Sequence, residues 1–294
     1  MTTNFIPAAP LGTPTSVISV EAFSAEYRTR RGVVRALDRV SLEISAGERL
    51  AIVGESGSGK STLSQVLGRL LPRACRIVGG SITVLGRELD SLSPREVREL
   101  RRDALGFVPQ DPIAALNPTA RIGRQLALAL SPLGKPTDRA SLVSLLTEVK
   151  IADPERALGL FPHEMSGGMA QRVSIAMAMA REPRIIIADE PTGSLDAQVR
   201  EEILDLIVRL TEASGASLIW VSHDLSAVRR WCDRVVVMHQ GRIVEDGATT
   251  RVFTHPEHEY TRSLLAALPE AAAMDGASVQ ALKKSAAAGG TEIA

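Results

Sequence analysis

The chain has 294 residues, and its 34 basic side chains (Lys and Arg) equal its 34 acidic ones, so the formal net charge is zero. That balance argues against a protein that binds bulk nucleic-acid phosphate, because a basic surface supplies most of the non-specific affinity there. A content of 45% hydrophobic and 23% charged residues is typical of a globular chain with a sizeable core, and no apolar run reaches the roughly 18 residues of a membrane span.

Cysteine usage and the N-terminus indicate a reducing compartment. Cys75 and Cys232 are far apart in the sequence, and neither has a histidine at metal-binding spacing. We therefore expect no disulfide framework and no metal site built on cysteine. The first basic residue is Arg28, so the N-terminus lacks the charged start of a secretory signal.

The first 110 residues are predicted to form strands around one helix. Residues 1–15 show no periodicity and predict a flexible arm. Strands are expected from Val17 onward, at 35–44 and at 49–53. A helix over 60–71 follows and is ended by Pro72, and shorter strands are expected at 82–84 and 106–109.

Beyond residue 110 the pattern changes twice. Residues 112–182 carry helical spacing with Pro and Gly breaks and no convincing strand. Strand patterns return at 184–188, 217–222 and 234–238, alternating with helical stretches at 196–213 and 224–232. This order predicts an α/β fold with a mostly parallel sheet flanked by helices, a terminal hairpin turning at Gln240-Gly241, and a flexible tail over 273–294.

A glycine-rich loop follows the strand at 49–53 and matches GxxxxGK[ST] in the strand–loop–helix context of a phosphate loop. Its glycines let backbone N–H groups turn onto phosphate oxygens, and the helix start adds its positive dipole end. Lys60 would reach the β- and γ-phosphates and Ser61 would bind Mg²⁺; the competing interpretation is a glycine-rich turn that binds nothing. The expected nucleotide-binding residues are Gly54, Glu55, Ser56, Gly57, Ser58, Gly59, Lys60, Ser61 and Thr62.

Two adjacent carboxylates end the apolar strand at 184–188. Asp189 suits the Mg²⁺ role that phosphate-loop enzymes give to an Asp at the end of a strand, and Glu190 could act as general base on the attacking water. An acidic helix start is the structural alternative. His223 follows another predicted strand and is a candidate contact to the γ-phosphate, although a lone histidine is more often structural.

A second anion-binding helix start is predicted at residues 165–172. Ser166 would cap this helix, and Gly167 and Gly168 would let a phosphate approach its free N–H groups. One nucleotide rarely needs both helix starts from one molecule. The presence of two anion-binding helix starts in one chain therefore indicates a dimer in which each partner completes the other's site.

These parts together resemble the ATP-binding cassette (ABC) ATPases over about residues 16–255. The motifs occur in the family's order: GESGSGKS, Gln110 in VPQDP, MSGGM, IIIADE, SLD at 194–196 and His223. The resemblance implies a RecA-like phosphate-loop core with an N-terminal antiparallel β layer and an inserted α-helical subdomain at about 112–182. It also implies a head-to-tail dimer that holds ATP between one phosphate loop and the partner's Ser166, Gly167 and Gly168.

The same resemblance assigns further site residues. Tyr27 fits the aromatic that stacks on adenine, with a packed strand tyrosine as the alternative, and Asp196 fits a position near the nucleotide. Gln110 would touch Mg²⁺ and the attacking water, so that Ser61, Gln110 and Asp189 form the expected metal set and Gln110, Glu190 and His223 the catalytic one. The family's usual LSGGQ is MSGGM here, which removes a side-chain amide at Met169.

Three shorter sequence motifs resemble those of the oligopeptide, dipeptide and nickel importer branch of this family. They are VPQDPIAALNP, FPHEMSGGM and an HPxHxYT segment at 255–261, which would open a C-terminal segment over 255–272 behind an ATPase domain at 16–254. His255 and His258 are expected to be fold elements. Some members of the branch carry a C-terminal cysteine cluster, but no cysteine follows Cys232, so we expect no iron–sulfur cluster.

We therefore hypothesise that the chain is the ATP-hydrolysing subunit of an importer for peptides, nickel or a related chelate, with ATP and Mg²⁺ as cofactors. The implied partners are two membrane permeases, a second and different ATP-binding subunit and an extracytoplasmic solute-binding protein, with no nucleic acid. The implied location is the cytoplasmic face of the membrane. The alternatives are an exporter subunit, an ABC ATPase of translation or DNA repair, and a soluble phosphate-loop kinase.

Overall fold

The computed structural model describes residues 16–30, 32–193 and 195–267. The predicted arm (1–15) and tail (273–294) lie outside the described residues, as do Ser194 and the end of the predicted C-terminal segment. The strands are β1 Ser16–Thr29, β2 Gly32–Ser45, β3 Arg49–Val53, β4 Cys75–Val84, β5 Arg87–Glu88, β6 Leu105–Val108, β7 Ile185–Asp189, β8 Ser217–Val221, β9 Arg234–His239 and β10 Arg242–Ala248. The helices are α1 Lys60–Leu67, α2 Pro94–Asp103, α3 Pro112–Ala115, α4 Ile122–Leu130, α5 Arg139–Glu148, α6 Pro154–Ala157, α7 Gly167–Met179, α8 Ala197–Ser214, α9 Leu225–Trp231, α10 Thr249–Thr254 and α11 Glu259–Ala266.

The strands of the described residues form two sheets. An antiparallel sheet has the order β2-β1-β4-β5, and a larger sheet has the order β10-β9-β3-β8-β7-β6. Strands β9, β3, β8, β7 and β6 are parallel, while β10 returns antiparallel to β9 through the turn at Gln240-Gly241. The predicted α/β fold with its N-terminal antiparallel layer and its terminal hairpin is confirmed.

The central strands are apolar throughout because both of their faces are covered. Ile185 and Ile187 pack toward the antiparallel sheet, whereas Ile186 and Ala188, which alternate with them, pack toward the helices. All five residues of β7 and of β8 are buried. Between residues 112 and 182, a fully described stretch, the chain forms helices α3 to α7 and no strand.

Helix α1 ends at Leu67 rather than at residue 71, which is where the sequence pattern predicted its end. Gly68 caps the helix with its N–H on the carbonyl of Ser64, and Arg69 adopts a left-handed φ of 52°. Glycine is a poor helix former, and a left-handed residue turns the chain out of the helix. The helix therefore ends five residues before Pro72.

Strand β4 begins at Cys75, seven residues before the predicted strand at 82–84. Its first half contains Arg76, Gly79 and Gly80, which carry no apolar alternation, but it pairs with β1 all along, from Tyr27 opposite Cys75 to Ile18 opposite Val84. Gly80 has φ +81°, and a Cβ there would lie 2.4 Å from the carbonyl oxygen of Glu21. The pairing edge of β1, rather than the local sequence, therefore sets the start of this strand.

No described helix qualifies as a bilayer-spanning segment.

Candidate nucleotide-binding site

Three neighbouring parallel strands end at one edge of the large sheet, and each delivers predicted site residues there. Strand β3 leads into the phosphate loop, β7 into Asp189 and Glu190, and β8 into His223. A cleft of about 460 Å³ opens at this edge. Its walls are Val34, Arg35, Ala36, Ser56, Gly57, Gly59, Lys60, Ser61, Thr62, Gln110, Glu190 and His223.

Close backbone approaches shape the phosphate loop. A Cβ at Gly54 (φ +147°) would lie 2.2 Å from the carbonyl oxygen of Met238, and one at Gly59 (φ +105°) would lie 2.6 Å from that of Ala36. Only glycine fits either position. The turn after β9 supports the loop from outside, because the N–H of Gly241 donates to the carbonyl of Ser58 at 2.9 Å.

Lys60 lies buried within the loop. Its ammonium Nζ donates to the carbonyl oxygens of Gly54 and Glu55, each at 2.8 Å. Burial lowers the pKa of the Lys60 amine, and the carboxylates of Glu190 and Asp189 act in the opposite direction. A buried cation beside an open cleft can bind the phosphate oxygens of a nucleotide.

Asp189 is buried beside the first turn of α1. One carboxylate oxygen, Oδ2, accepts a hydrogen bond from the Ser64 hydroxyl at 2.9 Å, whereas Oδ1 is buried and has no hydrogen-bond partner. Burial raises the pKa of Asp189, while the hydroxyls of Ser64 and Ser61 oppose that shift. Magnesium prefers oxygen ligands, so the unpartnered Oδ1 near Ser61 fits a bound Mg²⁺.

Sequence reasoning missed Ser64. It stands three residues after Ser61 on α1 and so occupies the same face of the helix. That spacing, beside a carboxylate expected at the end of a neighbouring strand, was the signal that could have found it.

The three predicted catalytic residues meet at one oxygen atom. The Gln110 amide Nε2 donates to Oε2 of Glu190 at 3.0 Å, and the His223 ring Nδ1 lies 3.4 Å from the same oxygen. Glu190 has a left-handed φ of 44°, and its own N–H donates to the carbonyl of Val221 at 2.9 Å. A non-glycine residue in that conformation is strained, and such strain is concentrated at functional sites. The turn points the carboxylate into the cleft that Lys60 also lines.

Tyr27 lies next to the start of α1. Its hydroxyl is 3.5 Å from the hydroxyl of Thr62, and Val34 is its register partner on β2. Sequence reasoning missed Val34, whose side chain is 54% exposed at the mouth of the cleft. The register of a hairpin between 27 and 34 would have placed it there.

Predicted residues at two helix starts do not line this cleft. Ser166 caps α7 by accepting the N–H of Met169 at 3.2 Å, and Asp196 caps α8 by accepting the N–H of Val199 at 3.0 Å. The two helix starts lie side by side, since a Cβ at Gly168 would be 3.0 Å from the Val199 side chain. Ser166 and Gly167 are exposed, and Met169 packs partly against the core. The predicted residues of these two helix starts, which lie outside the cleft lining, are Ser166, Gly167, Gly168 and Asp196. Five other predicted residues do not line the cleft themselves but belong to the phosphate loop or to elements next to it: Tyr27, Gly54, Glu55, Ser58 and Asp189.

The histidines of the 255–261 segment make local contacts. His255 Nδ1 lies 2.9 Å from the Thr254 hydroxyl, and His258 Nδ1 accepts the backbone N–H of Tyr260 at 3.1 Å. Both therefore act as fold elements, as the sequence predicts. Within the described residues, no group of three or more His, Cys, Asp or Glu side chains has the arrangement of a metal site.

Comparisons with known proteins agree with this geometry. The family model described as ABC transporter matches residues 37–193. The chain is 42% identical to a probable peptide ABC transporter ATP-binding protein of Sinorhizobium fredii, over 86% of this chain and 77% of that protein. It is 41% identical to an oligopeptide transport ATP-binding protein of Bacillus subtilis, over 87% and 72% respectively.

Solved structures give the same result for the fold. A dimeric ATP-binding cassette in a post-hydrolysis state, bound to ADP and Pi, is similar with a TM-score of 0.70 and 28% identity, over 79% of this chain and 98% of that one. The structure of cbiO1 from Clostridium perfringens, part of the cbiONQ transporter complex, is similar with a TM-score of 0.69 and 30% identity, over 87% and 97%.

Proposed function

The chain belongs to the ABC transporter family as an ATP-hydrolysing subunit, and from that membership we propose that it drives the import of peptides through partner membrane proteins. Similarity of 42% and 41% to peptide and oligopeptide transport proteins supports the peptide class of solute. The observation that carries the hydrolytic role is the convergence of Gln110 and His223 on Glu190 in the cleft that Lys60 lines.

The phosphate loop binds the triphosphate of ATP in this proposal. Residues at the start of α1, including Lys60, line the cleft, and the N–H groups of this helix start and the Lys60 ammonium would bind the phosphate oxygens. The exposed Val34 lines the same cleft and, together with its register partner Tyr27, would form an apolar edge for the base. Glycine at 54 and 59 keeps the loop close to β9 and β2, so its N–H groups are held in place before the nucleotide binds.

Ser61, Gln110 and Asp189 would hold Mg²⁺. The buried, unpartnered Oδ1 of Asp189 fits this role, and Gln110 donates through its nitrogen, which leaves the amide oxygen outside that hydrogen bond. When bound, the cation neutralises charge on the β- and γ-phosphates. Ser64 holds the other oxygen of Asp189 and so orients the carboxylate.

Glu190 takes the proton of the attacking water in the hydrolytic step. Gln110 and His223 fix its Oε2 from two sides, which orients the carboxylate relative to the γ-phosphate. Lys60 stabilises the negative charge that develops on the transferred phosphoryl group. Products are ADP and inorganic phosphate, and the proton remains on Glu190 until it is released to solvent.

A second ATP-binding subunit completes each site. Ser166 and Gly167 form an exposed helix start away from the cleft of their own chain, and helix starts bind anions. We infer that they face the nucleotide of a related but different partner chain, with Asp196 at the same interface. This assigns Ser166, Gly167, Gly168 and Asp196 to the partner's nucleotide.

A groove between the sheet and the helical segment is suited to a membrane subunit. It has a volume of about 360 Å³, and Leu105, Phe107 and Pro109 of the segment leading to Gln110 form one wall. Helix residues of α3, α4 and α7 form the other, including Ala115, Ala129 and Met177. We assign residues 112–182 to a helical subdomain and the groove to a cytoplasmic helix of a permease, because movement of Pro109 would be transmitted directly to Gln110.

Charge at this groove indicates the chemistry of the docked helix. Arg101 and Arg181 line it, and Nε of Arg101 is buried without a hydrogen-bond partner. A carboxylate on the permease helix would accept a hydrogen bond from that donor, and apolar residues of the same helix would pack on the apolar walls of the groove. Docking of two permeases would hold the chain at the cytoplasmic face of the membrane, with a solute-binding protein on the other side.

Reconstitution tests the proposal. The chain is co-expressed with the proposed permeases and second ATPase subunit, purified and placed in proteoliposomes with the solute-binding protein. We expect peptide, but not free amino acid, to stimulate ATP hydrolysis and to accumulate in the compartment that holds the ATPase. Purification with ribosomes or DNA instead of polytopic membrane proteins would contradict the transport role.

A further inference from the structure

The segment 255–261 is fastened to the large sheet by a buried carboxylate. Glu245 on β10 is only 6% exposed, and its two oxygens accept the backbone N–H groups of Glu257 at 2.9 Å and His258 at 3.0 Å. His258 then caps α11 by accepting the N–H of Tyr260. The position of Tyr260 is therefore fixed relative to β10 by three hydrogen bonds.

Tyr260 reaches from this segment to the phosphate loop. Its ring lies over that of His239 at the end of β9, with centroids 3.9 Å apart and a tilt of 31°. Its hydroxyl oxygen accepts the backbone N–H of Glu55 at 2.9 Å, a contact between residues 205 positions apart. Burial raises the pKa of the Tyr260 phenol, and the hydrogen bond from Glu55 opposes that shift, so the hydroxyl stays neutral under physiological conditions.

The peptide unit that Tyr260 contacts is also the one that holds Lys60. The carbonyl of Gly54 and the N–H of Glu55 belong to the same planar peptide. The carbonyl accepts from Lys60 Nζ at 2.8 Å on the inner side of the loop, and the N–H donates to Tyr260 at 2.9 Å on the outer side. Rotation of this peptide would break both bonds together.

We propose that Tyr260 is a positioning residue for the phosphate loop, which fixes the Gly54–Glu55 peptide and through it the Lys60 ammonium. The proposal rests on the proposed role of the loop in binding ATP. The segment 255–261 would then have a role in nucleotide binding rather than in solute recognition. Tyr260 does not line the cleft, so its effect passes through the loop.

Tyr260→Phe removes the acceptor oxygen and keeps the ring on His239. The full-length variant is titrated with Mg·ADP and with Mg·ATP, and its steady-state hydrolysis is measured. We expect the Kd for each nucleotide and the KM for ATP to rise about three- to tenfold, the effect of one lost hydrogen bond, while kcat changes less than about twofold. Without nucleotide, the melting temperature should stay within about 2 °C of wild type.

Glu259→Gln is the matched control, because Glu259 is exposed on the same helix, next to Tyr260, and is outside the binding machinery. It should bind nucleotide as wild type does. Unchanged nucleotide affinity in Tyr260→Phe, with or without a lower melting temperature, would overturn the positioning role and leave the proposed function intact. Equal binding by wild type and Lys60→Ala would instead overturn the proposed nucleotide site, and the positioning role with it.

Discussion

Gln110 donates a hydrogen bond of 3.0 Å to Glu190 across 80 residues of sequence, and His223 approaches the same carboxylate oxygen. Gln110 follows β6, Glu190 follows β7 and His223 follows β8, so the bond joins the ends of neighbouring strands. Pro109, the neighbour of Gln110 in the chain, lines the groove that we propose for a permease, so a helix docked there would act on Glu190 through Gln110.

Ser64→Ala removes the hydroxyl that orients Asp189. The buried Oδ2 loses its partner, and we expect a loss of about 1–3 kcal/mol in the free energy of unfolding, measured by urea denaturation without Mg²⁺. The Mg²⁺ concentration for half-maximal hydrolysis should rise. Ser19→Ala, on β1 of the antiparallel sheet and outside the cleft lining, is the control. An unchanged Mg²⁺ requirement in Ser64→Ala would contradict the orienting role.

Gly54→Ala and Gly57→Ala separate close packing from backbone conformation. Both glycines have a positive φ, but a Cβ at Gly54 would lie 2.2 Å from the carbonyl of Met238, whereas one at Gly57 meets nothing within 4 Å. We expect Gly54→Ala to cost at least about 3 kcal/mol in stability and Gly57→Ala about 1–2 kcal/mol. Equal losses in thermal or urea unfolding would show that the loop is not held against β9 as described.

Ser166→Arg places a large cation on the helix start assigned to the partner's nucleotide. We expect it to abolish ATP-dependent association with the second ATPase subunit, measured by analytical ultracentrifugation, because the bulky side chain would occupy the interface. Binding of Mg·ADP to the isolated chain should be unchanged, since Ser166 does not line its own cleft. Association that survives the substitution would contradict the shared site.

The two cysteines should differ in reactivity and in their response to nucleotide. Cys232 is buried, and burial raises its pKa strongly, so we expect it to resist maleimide until the chain unfolds. Cys75 is half-buried opposite Tyr27 on the neighbouring strand and should react in the native state. Saturating Mg·ADP should slow its reaction if Tyr27 borders the base, and an unchanged rate would count against that assignment.

The sequence predicted the elements whose signal is local. Strands β7 and β8 are apolar throughout because the sheet is covered on both faces, and the phosphate loop carries a motif of fixed spacing. Since parallel strands end at one edge, the meeting of Asp189, Glu190 and His223 near the loop also followed from chain order.

Features set by distant partners were not predictable in this way. The early start of β4 depends on the edge of β1. The end of α1 is different, because it is set locally by Gly68 and Arg69, ahead of the more obvious Pro72. The contact of Tyr260 with Glu55 spans 205 residues and uses a backbone N–H, which leaves no mark in the side-chain pattern.

The hydrolytic assignment depends on a carboxylate that accepts a proton from water. Glu190→Gln keeps the shape of the side chain and its place beside Gln110 but removes that basicity. With the assembled transporter, we expect Mg·ATP to bind with wild-type affinity within about twofold, while single-turnover hydrolysis falls by about 10²- to 10⁴-fold and the ATP-bound closed dimer accumulates. Hydrolysis at the wild-type rate by this variant would contradict the account.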